Sequence, residues 1–166
     1  MVFINVSAEP PKMCAIISYL ALLCFFAAPL HARAGEGKII KVLPQFLDAR
    51  GRASLSPSLY DRDAYQSVLL QHPEKRSGIQ FQIHWKTKGG VWEPLTLRLE
   101  LRGIAEGNLP KEHVLDQRVD PSGWLGHWSN VVLSGAAYRD FGEVTAWRVT
   151  LWEGRKQIGE QKSFLW

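Results

Sequence analysis

Between residues 79 and 101 the chain alternates apolar and polar side chains with a period of two, twice over. In "IQFQIHW", Ile79, Phe81, Ile83 and Trp85 share one side, and Gln80, Gln82 and His84 share the other. In "LTLRLEL", Leu95, Leu97, Leu99 and Leu101 oppose Thr96, Arg98 and Glu100. Successive side chains of a strand point to opposite faces. The pattern therefore fits sheets with one dry and one wet face, and it does not fit a helix. "TAWRVTL" repeats it, with Trp147, Val149 and Leu151 inward and Arg148 and Thr150 outward.

Four weaker segments complete the set. Residues 38–47 are rich in β-formers, but Pro44 restricts them to an edge or a bulge. Residues 112–119, 127–134 and 157–166 also read as strands, with Gly159 marking a bulge in the last. Turn signals separate the strands at Lys88-Gly89-Gly90, Gly103–Asn108, Pro121-Ser122-Gly123, Gly135 with Gly142, and Glu153-Gly154. One segment departs from period two: Tyr65, Val68, Leu69 and His72 recur at helical spacing, with Asp61 or Asp63 as cap and Pro73 as stop. So short a helix is marginal alone and is expected to lie against one end of the sheets, through Tyr65 and Leu69. The expected fold is all-β: a seven-stranded antiparallel β-sandwich, immunoglobulin- or fibronectin-like, with one short helix after the first strand. A small β-barrel is the alternative. The paired cysteines of antibody domains are absent, although Trp85 could take the place of their core tryptophan.

Residues 1–34 read as a cleaved secretory signal peptide. Cys14 to Ala28 is an apolar run, Lys12 precedes it, and Ala32-Arg33-Ala34 supplies small residues at a cleavage site before Gly35. An uncleaved anchor is the alternative, because Met13–Leu30 is just long enough to span a bilayer. Cleavage leaves residues 35–166 as a single domain, secreted or periplasmic, with no membrane span. Cys14 and Cys24 depart with the leader, so no disulfide is available in a compartment that permits them. A chain of about 130 residues buries roughly two thirds of its surface, and apolar burial alone has to stabilise it. The net charge is +4, falling to +3 when Glu9, Lys12 and Arg33 leave. No basic run accompanies it, which argues against a nucleic-acid partner.

Motifs for catalysis are sparse. There is no Gly-x-Ser-x-Gly elbow, no Ser-x-x-Lys and no His-Glu-x-x-His, and no loop suited to cradling phosphate. No metal or other cofactor is expected. Asp61-Arg62-Asp63 is better explained as a helix cap than as a metal motif. Carboxylate pairs of the glycosidase kind depend on tertiary distance and stay open.

All seven tryptophans lie beyond the leader. Trp85 and Trp147 share parity with aliphatic neighbours and are assigned to the core, and Phe164 and Trp166 are expected to close it. Trp152 falls on the wet side of its strand. Trp92 follows a Gly-Gly turn, and Trp124 and Trp128 bracket "WLGHW". Rings in such places either cap the end of a core or stack on the C–H face of a sugar; capping is the commoner role, because tryptophan is highly buried on average. These features point first to an exported, non-catalytic domain that binds another macromolecule, a protein or a glycan. A carbohydrate-binding module built from Trp92, Trp124, His127, Trp128 and Trp152 is the second reading. An enzyme assembled from distant strands, with Asp116, Asp120 and His127 as first candidates, is the third. Exported protein is expected to begin near Gly35 and to contain no thiol; intact-mass measurement checks this, and a mass that retains residues 1–34 refutes it.

Overall fold

Among the described residues seven strands form, and every pairing between them is antiparallel. The structure, a computed structural model, describes residues 35–91, 93–121 and 125–166. The leader therefore lies outside the described residues, as do Trp92 and Trp124. The strands are β1 (Glu36–Asp48), β2 (Arg76–Lys88), β3 (Leu95–Ala105), β4 (Leu109–Val119), β5 (His127–Ser134), β6 (Glu143–Glu153) and β7 (Lys156–Lys162). Among the described residues two α-helices accompany them, α1 (Leu59–Gln71) and α2 (Gly135–Phe141). One sheet has the order β1-β2-β5 and the other β4-β3-β6-β7. Among the described residues no helix is long and apolar enough to cross a membrane.

The alternating residues of β2 and β3 do what their period demands. Phe81, Ile83 and Trp85 from the first sheet and Leu95, Leu97, Leu99 and Leu101 from the second are almost wholly buried in one hydrophobic cluster with Val149 and Leu151. Such a cluster gains free energy in proportion to the apolar area taken out of water. Trp85 also buries a polar N–H, which it satisfies by donating to the Ser129 hydroxyl at 2.9 Å. A buried indole N–H without a partner would cost about 1–3 kcal/mol. Trp147 is only half-buried, and it packs edge-on against Phe81 at a centroid distance of 6.4 Å.

Pro44 is accommodated because β1 is an edge strand. Its outer edge is also engaged by a side chain. The Gln66 amide of α1 accepts from the Phe46 N–H at 2.7 Å and donates to the Phe46 carbonyl at 2.9 Å, as a neighbouring strand would. Helix α1 is anchored further by Leu69, which is buried, and by Tyr65, whose hydroxyl donates to Asp48 Oδ2 at 2.9 Å. With α1 packed there, Gln45 and Leu47 are buried although their parity points them away from the core. Its N-cap is Ser58, which accepts from the Asp61 N–H at 3.4 Å; Asp61 and Asp63, the expected caps, lie inside the helix.

Three local expectations need correction. Gly103 is not in a turn, since β3 runs on to Ala105 and the chain reverses through Glu106–Asn108, with Gly107 and Asn108 at positive φ (79° and 58°). Gly103 is there for packing: a Cβ at that position would collide with Phe141. The segment between Gly135 and Gly142 is a helix whose Phe141 and Tyr138 pack on the core; seven residues are too few to display a period. Finally, β7 ends at Lys162. The chain turns at Ser163, Phe164 is fully exposed, and Trp166 lies on the outside of the second sheet. The residue left unpaired in β7 is Ile158, beside Gly159.

Asp48 ends β1 and ties three segments together. Its carboxylate accepts from the backbone N–H groups of Arg50 and Arg52, each at 2.8 Å, from the Arg52 guanidinium at 3.0 Å and from Tyr65. Burial pushes this carboxyl up, but the hydrogen bonds outweigh it and hold the pKa at about 2, below the ordinary 3.8. A depressed folded pKa gives stability that is full above the unfolded value and is lost as pH falls through the folded one. Asp48 is accordingly expected to contribute about 2 kcal/mol that disappears between about pH 4 and pH 2. Urea unfolding of parent and Asp48→Asn protein across that range checks it: the gap between the two should close on acidification. In the core, Trp85→Ala is expected to cost about 3–5 kcal/mol, and Trp147→Ala clearly less because its ring is only partly buried. Equal losses in denaturant unfolding would contradict that difference in burial.

Candidate functional site

The strand β5 begins at His127, directly after Gly126, which holds φ at +85°. A side chain at Gly126 would be strained twice over. The φ disfavours it, and its Cβ would come within 2.7 Å of His84 Nε2 and 3.0 Å of the Trp85 carbonyl. Glycine thus lets the backbone close down on β2 just before the two strands pair. From there period two sends Ser129, Val131 and Leu133 inward and Trp128, Asn130 and Val132 outward.

The register places Trp128 directly across from His84, itself outward on β2. The two rings stack with centroids 4.7 Å apart and planes within 9°. Trp128 remains 49% exposed, so one face of the indole rests on the imidazole and much of the ring meets solvent. His127 is exposed beside it, its ring 6.1 Å from that of Trp85. On the other side of His84 the register continues to Lys41 of β1. The next row along the sheet pairs Lys86 with Lys38, and the row after that pairs Lys88 with Glu36. Between the last two rows lies a depression of about 310 Å³ lined by Glu36, Gly37, Lys38, Lys86 and Lys88.

The outer face of β4-β3-β6-β7 is built differently. Arg98 holds Asp116 through two hydrogen bonds of 2.8 and 2.9 Å, and Arg148 holds Glu100 through two of 2.6 and 2.9 Å. Arg102 meets Glu112 at 3.2 Å. The paired guanidinium is the main cause that holds the Asp116 and Glu100 carboxyls below their ordinary range. Aromatic rings cover these cations. Trp166 sits against Arg102 at 4.1 Å and Arg148 at 4.9 Å, and Arg98 lies 5.7 Å from the centre of Trp152. The Trp152 indole N–H donates to Thr150 Oγ1 at 2.8 Å, and Thr150 is buried beneath it. Arg98, Arg102 and Arg148 on this face thus each have a carboxylate partner within the protein.

Of the five site residues expected from sequence, Trp128 stands on the outer face of β1-β2-β5, His127 before it shares the parity of inward Ser129 with its ring near Trp85, and Trp152 lies on the outer face of the other sheet. Trp92 and Trp124 lie outside the described residues. The three residues considered for catalysis do not converge. Asp116 is paired with Arg98, Asp120 is exposed after β4, and His127 opens β5. Among the described residues no three His, Cys, Asp or Glu side chains are grouped to hold a metal ion. Sequence reasoning passed over His84 and the lysines. Their outward parity was legible, but which strands lie side by side, and in what register, was not. No protein-family model matches the chain, and comparisons with curated proteins and with solved structures find no similar protein.

Proposed function

We propose that this chain is an exported, non-catalytic binding domain of the immunoglobulin- or fibronectin-like sandwich type, and that it engages a macromolecule through the β1-β2-β5 outer face. The fold assignment is supported by the strand order. Three strands, β1-β2-β5, share one core with β4-β3-β6-β7. Relative to the constant immunoglobulin arrangement, the fourth strand has moved from the first sheet to the edge of the second. Export is supported by the composition of residues 13–34.

The observation that carries the functional reading is the exposure of Trp128 in a fixed orientation. A large ring left half in water forgoes part of its burial free energy. Trp128 neither caps the core nor covers a charge on its own sheet; it is held in one orientation by stacking on His84. Tryptophans presented in this manner are favoured contact residues in binding surfaces, because they offer large, rigid area at low entropic cost. A glycan fits the flat ring as well as a protein does, since a pyranose has an apolar C–H face of similar width.

Trp128→Ala is therefore expected to abolish ligand retention while lowering stability by only about 0.5–1.5 kcal/mol, the worth of one stacked aromatic pair. Parent and variant are compared on an array of purified envelope proteins and extracellular glycans, with thermal unfolding in parallel. Loss of a bound ligand with a modest drop in Tm supports the reading. A ligand retained equally by both proteins refutes it, as does a destabilisation as large as that of Trp85→Ala.

A further inference from the structure

The two outer faces differ in how their charge is balanced. On β4-β3-β6-β7 every one of Arg98, Arg102 and Arg148 holds a carboxylate. On the β1-β2-β5 face, Lys38, Lys41, Lys86 and Lys88 make no ion pair among the described residues, and Glu36 is the one acidic side chain set among them. Lys38 and Lys86 are direct cross-strand partners. Like charges in that relation are destabilising, and among the described residues no carboxylate forms an ion pair with either lysine, as carboxylates do with the arginines.

We propose that the open half of this face binds an acidic polysaccharide, with one sugar ring resting on Trp128 and the carboxylate or sulfate groups of the chain on Lys41, Lys38, Lys86 and Lys88. The proposal rests on the reading of Trp128 as a contact residue and adds the chemistry of the ligand. Three features favour this class. The aromatic and cationic groups form consecutive rows: Trp128, His84 and Lys41 first, Lys86 and Lys38 next, Lys88 and Glu36 last. Strands lie about 4.8 Å apart and same-face residues about 6.8 Å apart along a strand. The cations thus recur at short, regular intervals, as the charges of a polymer of acidic sugars do. The Lys38, Lys86 and Lys88 depression, of about 310 Å³, lies within the size range of small-ligand sites and suits a charged saccharide unit. The cations are lysines throughout, hydrated point charges on flexible stems, which can follow anionic groups spaced along a chain without the fixed fork of arginine. The patch is also bounded. At the far end of β1, helix α1 occupies the place, and Gln45 and Leu47 are buried there. The parallel stack on His84 fixes the orientation of the indole, so that its exposed part is presented rigidly to a sugar ring.

Calorimetry and affinity electrophoresis test this with polygalacturonate as the carboxylated chain, dextran sulfate as the sulfated chain and amylose as the neutral one. A single-stranded oligonucleotide and phosphatidylglycerol vesicles represent the other anionic classes. At least one acidic chain is expected to bind, more weakly as salt rises, and amylose far less. The double variant Lys38→Gln/Lys86→Gln is expected to bind roughly five- to thirtyfold more weakly. Lys75→Gln/Lys156→Gln, equal in charge and outside the face, is expected to bind as the parent does. Matching thermal unfolding of the two double variants excludes a folding defect. Tighter binding of the oligonucleotide or vesicles, equal binding of amylose, or equal losses in both double variants overturns the proposal. Binding that depends on Trp128 but not on the lysines removes the acidic ligand and leaves the binding face standing. No ligand that depends on either removes both.

Discussion

A single apolar layer, contributed by facing sides of two sheets, is the interaction on which everything else in this protein depends. The described residues contain no cysteine, so no covalent link shares the work. Trp85, Phe81, Ile83 and the leucines of β3 have to supply the free energy by leaving water, and they are buried almost completely. The register of every pairing follows from this. A slip of one residue in β2 would send Ile79, Phe81, Ile83 and Trp85 to the wet side at once. The Ser129 hydroxyl belongs to the same requirement, since a buried indole without an acceptor would offset part of what its ring contributes.

Once the core has taken the inward side chains, the two outer faces are left to other chemistry, and they are used in opposite ways. On β4-β3-β6-β7, three arginines bind three carboxylates and two tryptophans lie over the guanidinium groups. Exposed ion pairs contribute little one at a time. Here they interlock with rings and with the buried Thr150. On β1-β2-β5, helix α1 packs against the C-terminal part of β1, and the opposite end stays open, with an aromatic stack and four lysines that make no ion pair among the described residues. That contrast is the physical ground for placing the proposed binding surface on the smaller sheet.

The edges of the first sheet show a related economy. An exposed edge strand offers unpaired backbone groups to any other chain. On β1 the proline removes one donor and Gln66 occupies the pair of groups at Phe46. Asp48 then fastens the following turn and Tyr65 into place, so the helix that guards the edge is held at both its polar and its apolar contacts.

The sequence alone determined the local features: period two marked β2, β3 and β6 and the inward sets of β2 and β3, β-formers and turn residues marked the four weaker strands, Pro44 limited β1 to an edge or a bulge, and helical spacing marked α1, because each is a local property of side-chain direction or backbone chemistry. It could not determine what depends on neighbours distant in the chain. Gly103 looks like a turn residue until Phe141 is brought against it, and α2 is too short to show a period. Trp166 looks like core until the turn at Ser163 carries it outside to the arginines. Trp128 and His84 stand 44 residues apart and become a stacked pair only when β5 docks on β2 in one particular register. Strand order and register are set by the collective packing of the core, so the tertiary structure alone decided which outward side chains would meet, and with them where the candidate surface lies.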